Sequence, residues 1–170
     1  MREHDDEPPV EERLGDALRE RGDTVAVAES CTGGLVGSLL TDVPGSSDYF
    51  DRSVVTYSYD AKRDLLAVSR ESLDEHGAVS AAVAREMAQG VRDTADATWG
   101  LATTGIAGPG GGDDDKPVGT VYVGLAYAAE WGTGESYVES TRHEFDGTRL
   151  EVKQQFARAA METFEGALVD

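Results

Sequence analysis

Apolar residues recur along this chain in two spacings, and each spacing predicts a different element. Val10, Leu14 and Leu18 lie four residues apart, which is typical of the buried face of a helix. The β-branched apolar run at 24–28 (TVAVA) is instead typical of a buried strand. Applied to the whole chain, the two patterns predict helices over 10–21, 35–41, 60–67, 81–94 and 148–168, a short helical turn over 72–76, and strands over 24–28, 53–59, 98–104, 118–128 and 135–145.

The order of these elements predicts the fold class. Strands alternate with helices through most of the chain, and a short turn at 130–134 joins the last two strands, which favours a hairpin. This order predicts an α/β fold, a three-layer α/β/α sandwich with a mixed, mostly parallel sheet. A chain of 170 residues suits one domain, which we place at 10–170, after a disordered acidic tail at 1–9 that ends at Pro8 and Pro9.

The chain is strongly acidic: 33 Asp and Glu residues against 15 Lys and Arg residues give a formal net charge of -18. Such a charge disfavours binding to nucleic acid or to anionic membranes, because both need basic protein surfaces. It is typical of a protein that folds in concentrated salt, where repulsion between surface charges is screened beyond about 3 Å. We therefore predict that thermal unfolding occurs at a lower temperature in about 10 mM KCl than in about 2 M KCl, and equal values would contradict this.

Other features narrow the class of protein. A single cysteine, Cys31, excludes an internal disulfide framework and a cysteine-based zinc site. His4, His76 and His143 are scattered, so a histidine metal site has little support. The sequence has neither a long apolar run nor the apolar N-terminal segment of a signal peptide, which indicates a soluble, cytoplasmic protein.

Two glycine-rich segments follow predicted strands, where ligands bind in open α/β sheets. The first, 28–34 (AESCTGG), runs into a helix, whose free N–H groups and the hydroxyls of Ser30 and Thr32 favour an anion site. An ordinary capped strand-to-helix turn explains the same pattern equally well. The second, 103–112 (TTGIAGPGGG), lets a ligand approach the backbone closely, although a flexible tether has a similar composition.

A third segment combines Ser46 and Ser47 of a Gly-Ser-Ser turn with Tyr57 and Lys62 of 56–62 (TYSYDAK). A serine hydroxyl, a tyrosine and a lysine of lowered pKa can form a nucleophile with its base. Taken alone, a surface lysine and a core tyrosine are the simpler interpretation, because the spacing differs from the helical Ser-x-x-Lys pattern.

Six ordered segments carry a family resemblance: 28–34 (AESCTGG), 44–50 (PGSSDYF), 56–62 (TYSYDAK), 76–80 (HGAVS), 104–109 (TGIAGP) and 116–121 (KPVGTV). Together they resemble the CinA C-terminal domain, the nicotinamide-nucleotide amidase family, over residues 10–165. The resemblance implies hydrolysis of the carboxamide of nicotinamide mononucleotide (NMN) to nicotinate mononucleotide and ammonia. It implies no metal or organic cofactor, and it implies a homo-oligomer. A non-catalytic nucleotide-binding or regulatory module is the alternative function.

The same resemblance implies roles for individual residues. Ser47 is the expected nucleophile, activated by Tyr57 and Lys62, and the next candidates are Ser46, Ser30 and Cys31. The expected substrate contacts are Ser30, Thr32, Gly33, Thr104, Gly105 and Ala107. Arg142, in the predicted fifth strand, is a candidate partner for the substrate phosphate.

Overall fold

The computed structural model describes residues 7–169, in which six helices and five strands are joined by loops. The helices are α1 (Val10–Arg21), α2 (Leu35–Thr41), α3 (Tyr59–Leu66), α4 (Arg70–His76), α5 (Ala81–Ala95) and α6 (Arg149–Val169). The strands are β1 (Val25–Glu29), β2 (Phe50–Val55), β3 (Trp99–Gly105), β4 (Thr120–Tyr127) and β5 (Tyr137–Glu144). None of these helices combines the length and apolar character needed to cross a bilayer. Residues 1–6 of the predicted tail lie outside the described residues, so the division into a tail and one domain stays a prediction.

The five strands form one mixed sheet in the order β2-β1-β3-β4-β5. β1 pairs in parallel with β2 and with β3, whereas β4 runs antiparallel to both of its neighbours, β3 and β5. Four of the five strands therefore point in one direction, and β4 and β5 form the predicted hairpin pair. The carboxyl ends of β1, β2 and β3 meet at one edge of the sheet, where the segments at 28–34, 56–62 and 103–112 lie.

Helices cover both faces of this sheet. Val25 and Val27 of β1 belong to a core that includes residues of α1, α2 and α6. Ala26 and Ala28, on the opposite face, belong to a second core with residues of α3, α4 and α5. The two cores confirm the three-layer α/β/α sandwich.

The face under α5 is built from small residues. A Cβ atom at Gly100 would lie 2.0 Å from the carbonyl oxygen of Ala88, and one at Gly124 would lie 2.1 Å from that of Ala84. Both distances are far below van der Waals contact, so α5 packs directly on the strand backbones. This close packing fixes β3, whose carboxyl end contributes to the site.

One strand differs from its prediction in a way that shapes the site. The sequence predicts a strand over 53–59, but the chain turns and starts α3 at Tyr59. Ser58 caps this helix, because its side-chain oxygen accepts a hydrogen bond from the N–H of Ala61 at 3.0 Å. Lys62 therefore lies on a helix, which places its side chain in the interior.

Candidate active site

Two charged side chains are buried within residues 7–169, and they lie at the same edge of the sheet. Glu29 ends β1 and Lys62 lies on α3, and each has a relative exposure of 0%. Burying a charge is unfavourable unless nearby groups compensate it. Ser30 follows Glu29 and contacts Lys62, so this edge is the candidate active site.

Lys62 reaches from α3 to the loop that follows β1. Its Nζ donates to the Ser30 hydroxyl at 2.9 Å and to the main-chain carbonyls of Thr56 and Tyr57 at 2.6 and 3.2 Å. Burial lowers the pKa of Lys62 to about 8, because the interior disfavours the charged ammonium. A fraction of the molecules therefore carries a neutral amine at neutral pH, and that amine can accept a proton from Ser30.

The carboxylate of Glu29 lies at the amino terminus of α2. Its two oxygens accept five hydrogen bonds, from three main-chain N–H groups and two hydroxyls. The donors are the N–H groups of Gly34, Val36 and Gly37 at 3.2, 2.9 and 3.0 Å, and the hydroxyls of Thr32 and Ser53 at 2.6 Å each. Of the two interpretations of this segment, the structure favours the capped strand-to-helix turn over an anion site, because the protein's own carboxylate accepts from the N–H groups.

The loop after β1 also places main-chain donors at the site. The N–H of Ser30 donates to the carbonyl of Thr103 at 3.1 Å, which ties this loop to β3. Within residues 7–169 the N–H groups of Cys31 and Ala107 donate to no main-chain carbonyl, and both residues line the cleft beside Ser30. Burial raises the pKa of the Cys31 thiol to about 12, so the thiol stays protonated at neutral pH and is a poor nucleophile.

The cleft has a volume of about 210 Å³ and lies at the carboxyl ends of β1 and β3. Among the described residues, no Asp or Glu lines it, and its two charged lining residues, Lys62 and Arg149, are both cationic. In a chain with a net charge of -18, the cleft is a locally positive site and favours an anionic ligand. Residues 7–169 hold no cluster of three or more His, Cys, Asp or Glu side chains that could bind a metal ion.

Arg149, the first residue of α6, connects two loops at the cleft, and the sequence analysis does not identify it. It donates to the main-chain carbonyl of Gly108 at 2.5 Å and to the hydroxyl of Tyr57 at 3.4 Å. Tyr57 is 65% exposed, and its main-chain carbonyl accepts from Lys62. A cation in the first turn of a helix, where acidic residues are favoured, is the sequence signal that could have identified Arg149.

Four of the expected substrate contacts meet in this cleft. Ser30, Thr104, Gly105 and Ala107 all line it. The hydroxyl of Thr104 donates to the carbonyl of Ala78 at 2.8 Å, which links β3 to the loop before α5. The role of these residues as substrate contacts stays a prediction.

Thr32 and Gly33 lie outside the cleft and line a neighbouring groove beside Lys153. The Thr32 hydroxyl is buried, donates to Glu29 and lies 2.8 Å from the hydroxyl oxygen of Thr103. Because the Thr32 hydroxyl is used inside the protein and Gly33 lines the groove and not the cleft, the structure does not support either residue as a substrate contact. Both assignments stay predictions.

Ser47 lies at the opposite end of the sheet from Lys62. It belongs to the 3-10 turn Ser46–Asp48 ahead of β2, and the residue after this turn accepts a hydrogen bond from Val25, the first residue of β1. Lys62 instead contacts Ser30, which follows the last residue of β1, and an extended segment of this length spans about 16 Å. Within this chain Lys62 therefore pairs with Ser30 and not with Ser47, and this geometry gives no support to Ser47 as the nucleophile.

Arg142 lies on β5, and its guanidinium is bound by groups outside the cleft. Its guanidinium donates to the carboxylate of Glu144 at 2.8 Å, to the carbonyl of Asp115 at 2.6 Å and to the hydroxyl of Tyr122 at 3.2 Å. The hydrogen bond to Glu144 raises the pKa of Arg142. Arg142 does not line the cleft of this chain, so the structure does not support it as the phosphate partner.

Comparison with known proteins places this chain in a family. The sequence profile of the CinA C-terminal domain matches residues 7–168. The chain belongs to the CinA C-terminal domain family. A CinA-like protein from Salinibacter ruber is 53% identical over 153 residues, which cover 90% of this chain and 35% of that protein. Another, from Synechocystis sp., is 58% identical over 121 residues, or 71% of this chain and 29% of that protein. The chain thus spans a third or less of the length of some of these relatives.

Solved structures of CinA proteins share the fold. A CinA superfamily protein from Klebsiella pneumoniae gives a TM-score of 0.86 at 36% identity, covering 94% of this chain and 96% of that chain. A competence/damage-inducible protein from Agrobacterium tumefaciens gives a TM-score of 0.83 at 38% identity, covering 98% of this chain and 100% of that chain. These similarities confirm the α/β sandwich of this CinA-family domain.

Proposed function

We propose that this CinA-family domain is an amidohydrolase that cleaves the carboxamide of NMN, with Ser30 as the nucleophile. The observation that carries the proposal is the 2.9 Å hydrogen bond between Lys62 Nζ and Ser30 Oγ in the cleft. A serine hydroxyl becomes a strong nucleophile only when a base removes its proton, and a buried lysine of lowered pKa is such a base. We infer NMN as the substrate from the resemblance to the nicotinamide-nucleotide amidase family, and the products would be nicotinate mononucleotide and ammonia.

In the proposed reaction Lys62 starts as a neutral amine. The amine takes the proton of Ser30 as Oγ attacks the carboxamide carbon, and the N–H groups of Cys31 and Ala107 are candidate donors to the resulting oxyanion. The Lys62 ammonium then protonates the departing nitrogen, so ammonia leaves and an ester to Ser30 remains. Water, deprotonated by Lys62, hydrolyses the ester, which releases nicotinate mononucleotide and restores Ser30.

Tyr57 has a positioning role in this proposal. The sequence predicts that Tyr57 and Lys62 together activate the serine, whereas in the structure Lys62 contacts Ser30 directly. The main-chain carbonyl of Tyr57 accepts from Lys62, and its phenol hydroxyl accepts from Arg149. Tyr57 therefore helps to fix two cationic side chains at the cleft.

Ammonia release from NMN tests the proposed function. The purified protein in about 2 M KCl should release ammonia in proportion to the nicotinate mononucleotide formed, with NAD as a further substrate to compare. Saturable NMN binding without ammonia release would contradict the proposal and favour the alternative, a non-catalytic nucleotide-binding or regulatory module. Release of nicotinamide in place of ammonia would contradict it equally, because the glycosidic bond would then be the bond that breaks.

The proposal concerns this domain and not the longer relatives as whole proteins. Self-association into a homo-oligomer and a cytoplasmic location follow from the resemblance and the composition, and both stay predictions.

A further inference from the structure

We infer that Arg149 binds the phosphate of the substrate and makes the site prefer a nucleotide over a nucleoside. This inference rests on the proposed function. The cleft has two cationic lining residues and, among the described residues, no acidic one. In a chain with a net charge of -18, that distribution favours a ligand that carries negative charge.

Lys62 is unsuited to hold the phosphate. An ammonium has three N–H donors, and those of Lys62 already have three acceptors in the hydroxyl of Ser30 and the carbonyls of Thr56 and Tyr57. Its side chain is also fully buried behind Ser30. A phosphate at Lys62 would therefore displace the proposed nucleophile from its base.

Arg149 has the free donors that Lys62 lacks. A guanidinium carries five N–H donors, of which Arg149 uses one for Gly108 and one for Tyr57. No carboxylate of residues 7–169 forms an ion pair with it. Its hydrogen bonds to the two loops fix the orientation of Arg149 before a ligand binds. Its planar guanidinium can donate two parallel hydrogen bonds to the oxygens of a phosphate.

The amino terminus of α2, a second position that could hold a phosphate, is not available. The first N–H groups of that helix donate to the Glu29 carboxylate. A phosphate there would meet a second negative charge and find its donors already used. A nucleotide with its carboxamide at Ser30 therefore has its phosphate partner in Arg149, which is exposed at the cleft.

Arg149→Ala tests the inference with two substrates, NMN and nicotinamide riboside, which differ only in the phosphate. We expect kcat/KM for NMN to fall ~100-fold, whereas kcat/KM for the riboside stays within about 3-fold. Arg149→Lys keeps the positive charge but removes the planar guanidinium, so its kcat/KM for NMN should lie between those of the unaltered protein and Arg149→Ala. Arg142→Ala is the matched control, because it removes an arginine that is bound to Glu144 outside the cleft, and it should leave both values unchanged.

An equal loss with both substrates would overturn the inference, because Arg149 would then only hold the two loops together. If the unaltered protein releases ammonia from neither substrate, the proposed function fails, and calorimetric binding of NMN and the riboside tests Arg149 separately. In that measurement, a preference for NMN that is lost in Arg149→Ala and kept in Arg142→Ala supports the inference. Binding that does not depend on Arg149 overturns it.

Discussion

Replacing Lys62 by methionine should lower kcat/KM for ammonia release from NMN by at least about 1,000-fold while the protein stays folded. Methionine has a similar length and suits the interior, but it lacks the amine that removes the proton of Ser30. Ser30→Ala should cause a loss of the same order. Ser47→Ala is the matched control, because it makes the same change at an exposed serine at the other end of the sheet, and it should leave the rate largely unchanged. Near-normal turnover in Ser30→Ala would contradict Ser30 as the nucleophile.

The same lysine sets the expected pH dependence. Because burial lowers the pKa of Lys62 to about 8, kcat/KM should rise with pH up to about 8 and level off above it, as the neutral amine becomes the main form. A rate that does not change between about pH 6 and pH 9 would contradict a neutral lysine base.

Lys62 should also make stability depend on pH. The unfolded chain holds this proton up to the usual lysine pKa of 10.5, whereas the folded protein releases it with a pKa of about 8. From about pH 8 to about pH 9 the unfolded state therefore binds more protons, so the free energy of unfolding should rise with pH. Above about pH 9 the rise should stop, because the unfolded chain loses the proton of Cys31 that the folded protein keeps up to a pKa of about 12. Lys62→Met should lack this rise, which urea unfolding at several pH values measures.

Removing the Glu29 carboxylate should lower the free energy of unfolding by about 4 kcal/mol. Glu29→Ala would leave three main-chain N–H groups and two hydroxyls in the interior without their acceptor. Glu29→Gln should cost less, because the amide oxygen still accepts hydrogen bonds while its NH₂ group faces other donors. Urea unfolding in about 2 M KCl measures both changes.

Glu20→Ala is the control for this loss of a carboxylate. Glu20 is exposed on α1, so its removal should change the free energy of unfolding by no more than about 0.5 kcal/mol. Equal stability of Glu29→Ala and Glu20→Ala would show that the buried carboxylate does not hold the loop and α2 together.

Elements whose signals lie within one segment could be predicted from the sequence. α1 and α2 have the predicted bounds, because the apolar spacing and the glycine beside each helix are local. β2 begins three residues before the strand that the sequence predicts. It is an edge strand, so Asp51 and Arg52 near its beginning are exposed, and these polar residues interrupt the apolar pattern that predicts a buried strand.

The partner of Lys62 could not be predicted in the same way. Lys62 stands out because lysine is scarce in this chain, and Ser47 is nearer to it in sequence than Ser30 is. Ser30 is 32 residues away from Lys62, and the two meet only because β1 lies beside β2 with both carboxyl ends at one edge. The proximity of Ser30 and Lys62 follows from the order of the strands in the sheet, and the spacing of residues along the chain does not predict that order. The role of Glu29 at α2 has the same origin, because its carboxylate also accepts from Ser53 of β2.

The buried state of Cys31 has a practical consequence. Its thiol is protonated at neutral pH, and the sequence contains no other cysteine. We therefore expect alkylating reagents and air to modify Cys31 only slowly. A cysteine introduced on the surface should then take up a fluorescent label much faster than the native sulfur does.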